Sequence, residues 1–168
     1  MHMPAPRAMR AVRALLTALI LLNWVAGFAF VIVFAGSFAG LIDEASLELY
    51  PGQPIERLLV AIRAALLIAL LMVPAAHVLL TRLRAITDTV EAGDPFVAAN
   101  AGRLTTIAWS LLAIQLLDLV FGAITIATGS DFDWSFGLTG WLAVILLFVL
   151  ARVFDHGTRL REELEGTV

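Results

Sequence analysis

Four apolar runs, each long enough to cross a lipid bilayer, restrict this sequence to one kind of fold. They cover about residues 14–42, 58–80, 104–127 and 134–154. Crossing ~30 Å of hydrocarbon takes ~20 helical residues. Inside that hydrocarbon every backbone N–H and C=O must find a partner within the protein, so runs of this length are read as α-helices. The expected architecture is an all-α polytopic integral membrane protein, a single four-helix domain over residues 1–168. Met1 to Arg13 is a short arginine-bearing start that resembles the front of a signal peptide. A secretory apolar core is only about 7–15 residues long, so the much longer first run reads as an uncleaved span.

Four spans place both termini on one side, and arginine decides which. All 11 basic residues are arginine. Arg7, Arg10, Arg13, Arg82, Arg84, Arg103, Arg152, Arg159 and Arg161 flank one side; Arg57 and Arg63 flank the other. That asymmetry predicts cytoplasmic termini, with Trp134 and Tyr50 at the outer interface. The outer acids Asp43, Glu44, Glu48, Glu56, Asp131 and Asp133 have the chemistry for a divalent cation. Exclusion of positive charge from that side already accounts for them.

Several function classes are disfavoured. There is no cysteine, which removes disulfides, thiolate nucleophiles and cysteine metal sites together. The net charge of -3 gives no basic face for direct nucleic-acid binding. No Ser/His/Asp set, phosphate loop, dinucleotide fingerprint or zinc-protease motif is present. The chain therefore reads as a non-enzyme without a cofactor. His77 and His156 lie near the inner ends of the second and fourth spans, the arrangement needed to ligate a haem from two sides. Their heights differ by five positions once the two helices are aligned, and interfacial histidines are the preferred reading.

The connector from Val78 to Leu104 is the expected focus of the chain. Its helical pattern continues from the second span through Val90. Gly93 suits a helix C-terminus, and Asp94-Pro95 suits an N-cap followed by proline at the first helical position. Helices 2 and 4 are both expected to extend into the cytoplasm. Leu79, Leu83, Ile86 and Val90 form one apolar stripe; Val153, Gly157, Leu160 and Leu164 form another, 74 positions later. The shared spacing predicts that the two extensions pack side by side like a short parallel coiled coil. Gly157 would then lie opposite Leu83. The alternative lays each stripe on the bilayer surface or against another partner. Residues 81–103 and 155–168 together form the expected cytoplasmic head.

Two charges fall within the spans. Arg63 and Asp118 differ in depth by about 7–8 Å, a gap an arginine can bridge, so an Arg63–Asp118 pair is expected with Gln115 one turn away. A structural pair, or Arg63 reaching outward to the interface, is the plainer reading. The functional alternative is a polar site of a small transporter or ligand-binding protein. Asn23 reads as an interhelical hydrogen bond and Pro74 as a kink. Ala35/Ala39 and Gly36/Gly40 offer small-residue packing.

Two stretches carry a family resemblance. Gly93-x-Pro95-Phe96-x-x-x-Asn100-x-x-Arg103-Leu104 resembles the central motif of the small bacterial membrane proteins catalogued as domain of unknown function 2975. Leu150-Ala151-x-Val153-Phe154-x-x-Gly157-x-x-Leu160-Arg161-Glu162-x-Leu164-Glu165-Gly166-Thr167-Val168 resembles that family's C-terminal signature. The resemblance implies four spans and no established enzyme activity or cofactor. It also implies a candidate partner, because such proteins are often encoded beside a small helix-turn-helix regulator. Within the motif, Asn100 is expected to cap or brace the turn and Phe96 to fill the gap beneath it. Arg103 is expected to reach lipid phosphates, Asp94 or the tail carboxylates.

Overall fold

The computed structural model describes residues 7–40, 55–129 and 132–165, which form four helices. These are α1 (Arg7–Phe38), α2 (Ile55–Glu91), α3 (Ala98–Thr128) and α4 (Leu138–Glu165). Each is long and apolar enough to cross a membrane. With 37 residues, α2 extends about 55 Å at 1.5 Å per residue, well beyond the hydrocarbon layer. It runs unbroken through Pro74. The acidic loop with Asp43, Glu44, Glu48 and the Tyr50-Pro51-Gly52 turn lies outside the described residues, as do Asp131, Thr167 and Val168.

Helices adjacent in sequence are adjacent in space: α1 packs on α2, α2 on α3, and α3 on α4. The start of α1, the α2–α3 turn and the end of α4 meet at one end of the molecule, joined there by ion pairs. The interior is built from small residues and aliphatics, among them Ala61, Ala101, Ala108 and Ala151 with Leu58, Ile68, Leu104 and Val144. Small side chains let helix backbones approach in lipid, where close packing rather than water exclusion drives association. Gly27 of α1 illustrates it, since a Cβ there would stand 3.0 Å from Val73 of α2. One turn earlier, Asn23 donates to the Val73 carbonyl at 3.2 Å, the interhelical bond expected of it. Of the small-residue pairs near the end of α1, Gly36 is buried while Ala35, Ala39 and Gly40 are exposed. Large aliphatic and aromatic side chains such as Leu22, Phe28, Leu146 and Val149 face outward, as lipid contact requires.

Three expectations are corrected. The extensions of α2 and α4 do not form a coiled coil, because α3 stands between the two helices. Short links join α2 to α3 and α3 to α4, and such links make consecutive helices neighbours. The stripe residues Leu83, Val90, Val153 and Leu160 are exposed, and nothing lies within 4 Å of a Cβ built on Gly157. Helix α4 instead turns Ala151 and Thr158 inward, each 4% exposed, while Phe154 and the exposed Arg161 reach the α2–α3 turn. Next, α3 begins at Ala98 with Val97 as its extended N-cap residue, so Asp94-Pro95 precedes the helix by three residues and does not cap it. Last, α4 begins at Leu138, and Trp134 belongs to the link before it.

Candidate functional site

The α2–α3 turn is where polar chemistry concentrates. Helix α2 ends at Glu91, and the turn after it carries Gly93, whose φ of 86° lies in the left-handed region that glycine enters at little cost. The Gly93 N–H donates to the Val90 carbonyl and the Asp94 N–H to the Thr89 carbonyl, both at 3.1 Å. That pair of bonds is the Schellman arrangement, which satisfies carbonyls left over at a helix end. Gly93→Ala should lower stability by about 1–2 kcal/mol, since a Cβ disfavours left-handed backbone. Reversible detergent unfolding would read the change, and an unaltered midpoint would contradict this account of the turn.

Asn100 braces the turn from α3. It is 0% exposed. Its Nδ2 donates to Thr89 Oγ1 at 2.7 Å and to the Pro95 carbonyl at 2.8 Å. Its Oδ1 accepts from Arg103 at 2.8 Å. The side chain thus ties the last turn of α2, the link and the first turn of α3 together. Arg103 also donates to the Ala85 carbonyl of α2 at 3.2 Å. Arg103 thus joins Asn100 to the backbone of α2.

Two more helices send arginines to the same place. Arg13 of α1 lies 3.6 Å from Asp88 and 3.8 Å from Glu91. Arg161 of α4 bonds Asp94 at 2.8 Å. Cations near a helix C-terminus are favoured by its dipole, and here acids at the end of α2 strengthen the attraction. Phe96 stacks on Phe154 with ring centroids 5.3 Å apart, so it joins turn to tail rather than filling space beneath the turn. Pro95 contributes the carbonyl that Asn100 holds. Leu160 is exposed, and Glu162 belongs to the last turns of α4.

The intramembrane residues do not assemble. Arg63 turns to the end of α1, donating to the Ser37 carbonyl and lying 4.2 Å from the centre of the Phe38 ring. Asp118 accepts from Trp134 Nε1 at 3.4 Å, a long and weak bond. Gln115 lies against Gly140 of α4. The expected Arg63–Asp118 pair is absent because Arg63 serves the α1–α2 interface while Asp118 meets Trp134 of the link between α3 and α4. His77 meets the edge of Trp24 at 5.1 Å, whereas His156 is exposed. Among the described residues no group of three or more His, Asp or Glu could hold a metal ion.

Sequence reasoning counted Arg13 only toward topology, and missed Thr89 and Thr158. Thr89 sits among polar residues in a helix that also buries Thr87, and no spacing rule marks it as the acceptor for Asn100.

No curated protein and no solved structure shows significant similarity to the chain. The family model for a protein of unknown function, DUF2975, matches residues 56–168, which span α2, the turn, α3, α4 and the tail. With that match over most of its length, the chain belongs to the DUF2975 family.

Proposed function

We propose that this is a non-enzymatic regulator or sensor of the bacterial inner membrane, with its termini and the α2–α3 turn in the cytoplasm. In this reading the turn and the C-terminal tail engage a cytoplasmic partner. The arginine asymmetry supports the orientation. The observation that carries the rest is the contact of the end of α4 with the turn, through Arg161–Asp94 in the tail and Phe96–Phe154 just before it. Both members of the ion pair are nearly half exposed, and exposed pairs contribute only about 0.2–1 kcal/mol. An ion pair of that size yields readily to any partner that binds the open form better. Asn100, in contrast, keeps the turn itself fixed. The family resemblance makes a small helix-turn-helix regulator the leading partner.

Affinity purification from native membranes, followed by mass spectrometry, tests this. The full chain should recover a small DNA-binding protein, and deletion of Asp155 to Val168 should lose it while the shortened chain remains folded in the membrane. Retention of that protein by the folded, shortened chain would contradict the reading.

A further inference from the structure

A groove of about 390 Å³ opens between α3 and α4 near the arginine-rich end. Ala101 and Ala151 are small and buried, and they leave the space between the two helices. Trp109 and Phe148 form its apolar floor, meeting edge to face at 5.3 Å. Gly102, Thr105, Arg152 and Asp155 form the rest of its lining. From Trp109 to Ala101 the groove runs about 12 Å along α3 at 1.5 Å per residue. Its floor therefore points toward the hydrocarbon and its mouth toward the interface.

Charge at the mouth is uneven. Asp155 is matched by Arg159 at 3.0 Å. Arg152 has no ion pair or hydrogen bond among the described residues, and it is exposed. The Thr105 hydroxyl donates to the Ala101 carbonyl at 3.0 Å, which leaves its oxygen lone pairs but no free proton for a ligand. One uncompensated guanidinium therefore sits above an apolar slot. A guanidinium forks onto phosphate oxygens in two parallel bonds, and Asp155 of the lining, already held by Arg159, leaves Arg152 open to such a partner.

We infer that the groove holds one anionic glycerophospholipid of the adjoining leaflet, its phosphate on Arg152 and the start of an acyl chain over Trp109 and Phe148. The bound lipid would fill space between α3 and α4 directly below the turn and tail. This inference rests on membrane insertion alone and is independent of the partner proposed above.

Native mass spectrometry of the delipidated full chain in detergent tests it, with phosphatidylglycerol added back. Gly102→Leu should block the slot: Gly102 is exposed and nothing lies within 4 Å of a Cβ built there. Arg152→Gln removes the charge from an exposed position. Arg82→Gln removes an exposed cation of α2 outside the groove. The expected result is one retained phosphatidylglycerol, weakened by Gly102→Leu and weakened about tenfold or more by Arg152→Gln, as for loss of a charged hydrogen bond. Arg82→Gln should leave retention unchanged, phosphatidylcholine should not be retained, and inorganic phosphate should not displace the lipid. Undiminished retention in either groove variant would overturn the inference. So would equal retention of phosphatidylcholine, or displacement by inorganic phosphate.

Discussion

Asn100→Leu lowers stability by roughly 3 kcal/mol, the largest loss expected of any single change at the arginine-rich end. Leucine has similar bulk, so the loss is chemical rather than a cavity. The Pro95 carbonyl loses its donor, and Arg103 loses the Oδ1 that accepts from it. Each buried polar group left without a partner costs about 1–3 kcal/mol. Thr89 keeps its own bond to the Ile86 carbonyl and adds little. Arg161→Ala is the comparison that gives this number meaning. Its ion pair with Asp94 is exposed and contributes about 0.2–1 kcal/mol. Reversible unfolding in mixed detergent should therefore rank Asn100→Leu well below Arg161→Ala. The reverse order would mean that charge, rather than the buried amide, holds the turn.

Gly122→Val is expected to cost about 3 kcal/mol, at the opposite end of the molecule. Gly122 is buried, and a Cβ there would run into the indole ring of Trp134. The ring is rigid, so it must leave the face of α3 and give up its bond to Asp118. Gly140 looks similar in sequence but differs in what it faces. There the obstacle is the flexible end of Gln115, which can swing away. Gly140→Ala should accordingly cost less than Gly122→Ala. Trp134→Ala combined with Gly122→Val should recover most of the loss, a departure from additivity that marks direct contact. Additive losses would place the damage elsewhere.

The four helices were legible because hydrocarbon demands long apolar runs, and no other requirement mimics that pattern. Gly93 was legible as a helix end for an equally local reason, the need for positive φ. Asn100 and Arg103 were flagged by resemblance, but their partners were not, since Thr89, Pro95 and Ala85 come from another helix and a loop. The stripes at Leu83 and Leu160 misled for a physical reason. In water an apolar stripe seeks another protein surface, whereas next to a bilayer it is satisfied by lipid, so periodicity no longer identifies the packed face. The Arg63–Asp118 pairing failed similarly. Depth along the membrane follows from sequence, but the direction a side chain takes around its helix depends on neighbours. Arg63 found a free carbonyl at the end of α1.

Cysteine pairs test the central claim most directly, that the tail docks on the α2–α3 turn instead of coiling against α2. The natural chain has no cysteine, so any cross-link reports only the introduced pair. Phe96 and Phe154, stacked 5.3 Å apart, should be joined readily by a short bifunctional thiol reagent in native membranes once both are changed to cysteine. Cysteines at Ile86 and Leu160, on helices separated by α3, should not be joined under the same conditions. Efficient linking of Ile86→Cys to Leu160→Cys, with none between Phe96→Cys and Phe154→Cys, would contradict the account.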